Sequence, residues 1–249
     1  MNNIVVFDLE TTGLNKMKDF IIQFGAIKIN PTNNKIIDSM NIYIQPVGKY
    51  YISPQAKMKH HITEEFLKDK PFFKDVANQI MDFLKECDLL TYNGCSFDIP
   101  FLKNEFLRIG IDYDFLQHNC YDAFLEEKRR NGNKLEETYK RYKGKSMEES
   151  GLTAHDALSD VKATYSIFYA QQKNHPYGPE QMLGEDNMLS IMEFNGEKVP
   201  CFTVGKYKNI SVAEVCKGDK NYIGWCLSDD CNFTNSTKKV IKKIFENVK

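Results

Sequence analysis

The chain has 249 residues, of which 42% are hydrophobic, 12% aromatic and 27% charged. That mix excludes a mostly disordered or fibrous chain and leaves room for one large domain, or one domain with a small appendage. The 33 basic residues nearly balance the 34 acidic ones, so net charge neither requires nor excludes a nucleic-acid partner. Apolar runs such as Ile4-Val5-Val6-Phe7 are far too short to cross a bilayer, so no membrane partner is expected. Met1-Asn2-Asn3 leads into a strand-like run with no basic leader, and the expected location is cytoplasmic. The cysteines are irregularly spaced, without a CxxC pair. They read as reduced thiols, not as a disulfide framework or a structural zinc site.

In chain order, residues 3–9 form a β-branched, nearly continuous apolar run that predicts a buried strand. Residues 20–30 and 35–45 predict two more strands, with Pro31-Thr32-Asn33-Asn34 as the turn between them. Phe73, Val76, Ala77, Ile80, Phe83, Leu84 and Cys87 recur at helical spacing and predict a helix over 73–87. A short strand is expected at 88–92, a helix at 98–109 closed by Gly110, and a strand near 117–121. Residues 128–145 carry Lys128, Arg129, Arg130, Lys134, Lys140, Arg141, Lys143 and Lys145 against Glu136 and Glu137. This basic helical stretch either lines the approach to a site or is a solvated face. A helix over 156–173 closes the block. Three strands followed by strands alternating with helices predict an α/β mixed sheet covered by helices.

The segment His175-Pro176-Tyr177-Gly178-Pro179-Glu180 reads as a linker. Beyond it, strands near 188–194 and 200–204 flank a turn at Asn195-Gly196. Short helices follow near 211–217 and 219–227. A final helix over 236–247 keeps Val240, Ile241, Ile244, Phe245 and Val248 on one face. The expected organisation is a domain over 1–173, a linker over 174–187 and a small α+β module over 188–249.

Asp8 and Glu10 lie two apart, so both carboxylates project from one face of the first strand. Their repulsion and desolvation would be offset by a bound divalent cation. Alternatively, one acid caps the Thr11-Thr12-Gly13 turn and the other meets solvent. Asp98 stands before Ile99-Pro100-Phe101-Leu102, which fits a helix N-cap, a third carboxylate presented beside the first strand, or both. Asp156 and Asp160 share a helix face directly after His155. The plainer reading has Asp156 capping that helix and Asp160 exposed.

Taken in order, Phe7-Asp8-Leu9-Glu10-Thr11-Thr12-Gly13-Leu14, Asn93-Gly94-Cys95-Ser96-Phe97-Asp98 and His155-Asp156-Ala157-Leu158-Ser159-Asp160 resemble the three motifs of the DnaQ-like, DEDDh 3′–5′ exonucleases. Lys59-His60-His61-Ile62-Thr63, with Lys70-Pro71-Phe72, is similar to the family's intervening segment, where Gly usually stands in place of His61. The resemblance spans about residues 1–173. It implies a ribonuclease H-like fold with a mixed five-stranded sheet. Asp8, Glu10, Asp98 and Asp160 match the family's acidic ligands for two divalent cations, Mg²⁺ or Mn²⁺, and His155 matches its general base. Thr11, Thr12, Leu14 and Phe97 match positions beside the terminal nucleotide. Asp156 matches no ligand.

Residues 202–211 and 219–227 look like the C-terminal module of exodeoxyribonuclease X-like proteins. In this module either Lys206, Tyr207, Lys208 and Trp225 form a basic, aromatic nucleic-acid surface, or Tyr222 and Trp225 are the core of a tiny domain. The pairing with the first domain favours DNA with a free 3′ end over RNA. The expected protein is a stand-alone 3′–5′ exonuclease. The alternatives are an epsilon-like proofreading subunit, an RNA-trimming exoribonuclease and, behind these, a catalytically silent binding module. A polymerase or repair-complex partner and a homodimer both stay open.

Overall fold

A computed structural model describes residues 2–130, 134–174, 176, 178, 188–194 and 197–248. The chain divides into two compact units, Met1–Glu180 and Gln181–Lys249.

In the first unit, β1 (Ile4–Thr11), β2 (Ile21–Asn30), β3 (Lys35–Tyr43), β4 (Asp88–Thr91) and β5 (Cys120–Asp122) form one sheet in the order β3-β2-β1-β4-β5. The pairs β1–β2 and β2–β3 are antiparallel, and β1–β4 and β4–β5 are parallel. This is the mixed five-stranded α/β sheet expected. The short turn at 31–34 permits the antiparallel hairpin, whereas the parallel strands need helical crossovers. Asn34 takes φ 55° in that turn.

The helices are α1 (Pro54–His60), α2 (Glu64–Leu67), α3 (Phe73–Leu84), α4 (Asp98–Arg108), α5 (Ala123–Arg130), α6 (Leu135–Lys143) and α7 (Ala157–Asn174). Strand alternation sends Ile4 and Val6 to one sheet face, where they pack with Ile27, Ile29, Leu90 and Val161, Ala163, Ile167 and Phe168 of α7. Val5 and Phe7 turn the other way, with Phe7 stacked on Phe24 at 5.9 Å. The apolar faces of α3 and α4 are buried and meet through Phe73 and Phe106, 5.2 Å apart.

Several expected boundaries move. The helix begun at Phe73 stops at Leu84, and Glu86 turns to φ 57°. Residues 115–117 form a 3₁₀ turn, so β5 starts at Cys120. The basic stretch is two helices, α5 and α6, and does not act as one face. Arg141 is bonded to the buried Glu127, while Lys140, Lys143 and Lys145 are exposed. The side chains of residues 128–130 lie outside the described set. α1 and α2 were not expected. Ser53 and Thr63 cap them, accepting from the Ala56 and Phe66 N–H groups.

In the second unit, β6 (Leu189–Phe194) and β7 (Glu197–Phe202) form an antiparallel pair. The expected turn at Asn195-Gly196 lies outside the described residues. The unit continues with α8 (Val212–Gly218), α9 (Lys220–Leu227) and α10 (Asn235–Asn247). The predicted face of α10 is the one that packs inward, with Ile241 buried beside Phe202, Val212, Ile223 and Cys226. Asp219 caps α9, accepting from Tyr222 N at 2.9 Å, and also takes the Tyr207 hydroxyl at 2.6 Å and Lys206 Nζ at 3.2 Å. Tyr222 packs edge-on against Phe202 and Tyr207, so it belongs to the core, while Trp225 stays 46% exposed at its rim.

Candidate active site

The exposed end of β1 carries the first two acids. Register sets Asp8 opposite Gly25 of β2, and residues facing each other across antiparallel strands share a sheet face. A Cβ on Gly25 would lie 2.6 Å from the Ala157 Cβ. The missing side chain therefore lets the first turn of α7 settle directly on the sheet beside Asp8. That approach brings in Asp160, and Asp8, Glu10 and Asp160 offer oxygens within 4.8 Å of one another.

Asp156 caps α7, accepting from Ser159 N at 3.0 Å, as its plainer reading requires. Asp160 does not follow the plainer reading. It is only 7% exposed, Oδ2 accepts from His155 N at 3.2 Å, and Oδ1 is buried with no hydrogen-bond partner. His155 sits at φ 61°, a conformation that costs a non-glycine residue about 1–2 kcal/mol. Its Nε2 stands 3.7 Å from Glu136 Oε1 of α6.

Asp98 arrives from β4. Gly94 passes so close to Thr91 that a Cβ there would lie 2.4 Å from the Thr91 Cβ. Buried Asp122, at the end of β5, moors the turn by accepting from Asn93 N at 2.8 Å and Cys95 N at 3.1 Å. Asp98 is then the first residue of α4 and not its cap. Phe97 holds the cap position without a side-chain bond, while Asp98 Oδ1 accepts from Leu9 N at 3.1 Å and ties the helix to β1.

Burial and repulsion by neighbouring acids raise all four carboxyls, with Asp156 and Glu136 the repelling neighbours of Asp160. Asp8 is held well above the ordinary carboxylate range by burial, then by Asp98, Asp160 and Glu10. Burial is also the leading cause for Glu10, pushed up to about 8, and for Asp98 and Asp160, each pushed up to about 7. Lys59 opposes the shift at Glu10, and the Leu9 N–H opposes it at Asp98. Asp8, Glu10 and Asp160, one of whose oxygens is buried without a partner, form an all-oxygen donor set that suits hard divalent cations, and Asp98 lines the same cavity.

A cavity of about 240 Å³ opens beside these acids and is also lined by Thr11, Leu14, His60 and Phe97. A second, of about 850 Å³, shares Asp8, Tyr92, Asn93, His155 and Asp160 and runs on past Phe124 and Lys134–Glu137. Leu14 is 80% exposed at the rim of the first cavity. Thr12 is not among the lining residues. It is buried, with its hydroxyl donating to Asp19 Oδ1 at 3.1 Å and accepting from Phe20 N at 3.0 Å, so it shapes the loop.

His60 lines the first cavity although its role was not anticipated. It is nearly buried, Nδ1 accepts from Ile62 N at 2.9 Å, and Nε2 has no partner. Burial is the first cause of its lowered pKa. The next residue, His61, closes α1 at φ 58°. That left-handed position explains why the motif usually has glycine there.

The exonuclease family profile matches residues 5–168. The chain belongs to this family. Among curated relatives of the exonuclease, the PolC-type DNA polymerase III of Caldanaerobacter subterraneus subsp. tengcongensis is 31% identical over 205 residues, which cover 80% of this chain and 14% of that protein. The DNA polymerase III epsilon subunit of Salmonella typhimurium is 30% identical over 177 residues, covering 67% of this chain and 70% of that protein. Exonuclease I of Escherichia coli in complex with a dA16 oligonucleotide matches the fold with a TM-score of 0.58 at 21% identity, covering 71% of this chain and 42% of that one. This exonuclease is thus DnaQ-like, with the ribonuclease H-like fold. Residues 202–229 match the exodeoxyribonuclease X-like C-terminal profile. No helix among the described residues is long and apolar enough to cross a membrane.

Proposed function

We propose that this protein removes nucleoside 5′-monophosphates from DNA, working inward from a free 3′ end. The carrying observation is that Asp8, Glu10, Asp98, Asp160 and His155 all line one cavity beside Thr11, Leu14 and Phe97. Asp8, Glu10, Asp98 and Asp160 would hold two divalent cations, Mg²⁺ or Mn²⁺. When bound, these supply positive charge against the phosphodiester and lower the pKa of water. His155 takes the proton of the attacking water at Nε2. Its lowered pKa, caused first by burial, favours the neutral ring, which has a nitrogen able to accept that proton. Glu136 faces the same nitrogen and stabilises the imidazolium that forms. Leu14 and Phe97 cover the terminal nucleoside, and Thr12 braces the loop that carries Thr11 and Leu14.

DNA is favoured because the relatives above are a DNA polymerase and a DNA polymerase subunit, and the structural neighbour holds a DNA oligonucleotide. The same relatives support a second reading, proofreading beside a polymerase. The exodeoxyribonuclease X-like match in the C-terminal unit instead supports a stand-alone enzyme of repair or end processing in the cytoplasm. The unit boundary between Glu180 and Gln181 supports a catalytic domain over 1–173, a linker over 174–187 and a module over 188–249. One experiment tests the reading. The protein is incubated with single-stranded DNA, duplex DNA and RNA, each labelled at the 5′ or the 3′ end, with Mg²⁺ or EDTA. Stepwise shortening of the 5′-labelled DNA, immediate release of a 3′-labelled mononucleotide and silence in EDTA are expected. Internal cuts, or equal activity in EDTA, would overturn it.

A further inference from the structure

The two cavities beside the carboxylates meet at a junction formed by Asp8, Lys59, Tyr92, Asn93, His155 and Asp160. Among the described lining residues the lysines are Lys59 and Lys134, and Lys59 alone lines both cavities. It is exposed at the end of α1 and enters no ion pair or hydrogen bond among the described residues. Lys57, two residues earlier on α1, is instead paired with Glu64 at 2.6 Å. The docking of α1 fixes where Lys59 stands, because Ser53 N donates to the Thr12 backbone oxygen at 2.8 Å and joins the start of the helix to the β1 loop.

An exposed, unpartnered ammonium at the mouth of a four-carboxylate site is placed to meet an anion that the carboxylates repel. A strand whose terminal nucleoside fills the smaller cavity, and whose remainder runs along the larger one, must set a phosphate at the junction. We propose that Lys59 is a substrate contact that binds this phosphate, and afterwards the 5′-phosphate of the released nucleotide. The inference rests on the exonuclease reading and adds a residue to it. Lys134, at the start of α6, lies farther along the larger cavity and meets the strand upstream.

The test compares wild type, Lys59→Gln, Lys59→Arg and Lys68→Gln. Lys68 is an exposed lysine paired with Glu65 on α2 and serves as the control. Binding of a labelled single-stranded DNA is measured by anisotropy in EDTA across a salt series. Inhibition by thymidine 5′-monophosphate and by thymidine is measured in Mg²⁺. Lys59→Gln should weaken strand binding about tenfold and flatten the slope of log affinity against log salt by about 0.7. It should weaken the monophosphate more than the nucleoside and raise KM more than it lowers kcat. Lys59→Arg should restore most of the loss, and Lys68→Gln should behave as wild type. An unchanged slope, or equal losses for thymidine and its monophosphate, would overturn the phosphate contact. The binding arm decides this even if wild type cuts no DNA, an outcome that would defeat the exonuclease reading alone.

Discussion

Asp160→Asn should stabilise the metal-free protein at alkaline pH while abolishing its activity. The carboxyl is pushed from 3.8 to about 7 in the folded chain, burial being the first cause. The folded state therefore keeps a proton that the unfolded state releases between these values, and stability falls as pH rises through the window. At pH 8 the group is ionised in both states, and each unit of displacement corresponds to about 1.4 kcal/mol, so the ionised Asp160 costs the fold up to about 4 kcal/mol. Asparagine keeps the shape, and its oxygen can still accept from His155 N, but a buried amide retains part of the desolvation cost. A net gain of about 2 kcal/mol is a reasonable expectation, or roughly 4–8 °C in melting temperature for a unit of this size. Calorimetry in EDTA should show that gain at pH 8 and almost none at pH 5, where wild-type Asp160 is itself neutral. Mn²⁺ should reverse the order at pH 8 by stabilising wild type far more than the variant. A variant less stable than wild type at pH 8 in EDTA, or a difference that ignores pH, would refute the argument that uncompensated charge is what this cluster stores.

His155→Ala should lower turnover by at least about a hundredfold and leave strand binding nearly unchanged, read by single-turnover kinetics beside anisotropy. In wild type, kcat/KM should rise with pH along one ionisation below the ordinary histidine value, because burial favours the neutral ring. Glu136→Gln removes the charge that opposes this shift, so that limb should move to lower pH. His61→Gly should raise the melting temperature slightly, since left-handed strain of about 1–2 kcal/mol is relieved and part is returned as unfolded-chain entropy; His61→Val should lower it. Arg141→Ala removes the guanidinium that Arg141 sets against the buried Glu127 carboxylate. Chemical denaturation should then show a loss of about 3 kcal/mol.

The sheet was readable because its strands obey simple rules. β1 and β2 are apolar on both faces, and Pro31–Asn34 carries the turn residues a hairpin needs. The three motifs were readable because each lies where one element starts or ends. α1 and α2 were missed because a helix of 7 residues and one of 4 leave too few turns for a periodicity. Their start signals were present, with Ser53 before Pro54, and Thr63 before Glu64 and Glu65. His60 stood in the segment similar to the family's intervening one, which assigned it no role. Its place in the cavity depends on α1 lying against the loop after β1, a contact made through backbone atoms that any sequence supplies. Gly25 likewise looked like an ordinary strand residue until the register set it opposite Asp8.

Several of the local rules that this sequence breaks are broken beside the carboxylates. Of the roles open to Asp98, the structure keeps the reach across to β1, and Asp160 departs from its plainer, exposed reading to lie buried with an unpartnered oxygen. His155 and Asn93, both beside the same carboxylates, hold left-handed backbones without being glycine. A propensity argument sends charged residues to the surface because nearly all isolated charges belong there. It must fail wherever a fold gathers charges to be neutralised by something that is not protein. Here Gly25, Gly94 and the Asp122 moorings force the gathering, and the Ile, Phe and Val core of β1, β2 and α7 sustains it. These departures therefore form one feature. The buried, crowded carboxylates raise the energy of the folded site, and bound divalent cations would offset that charge.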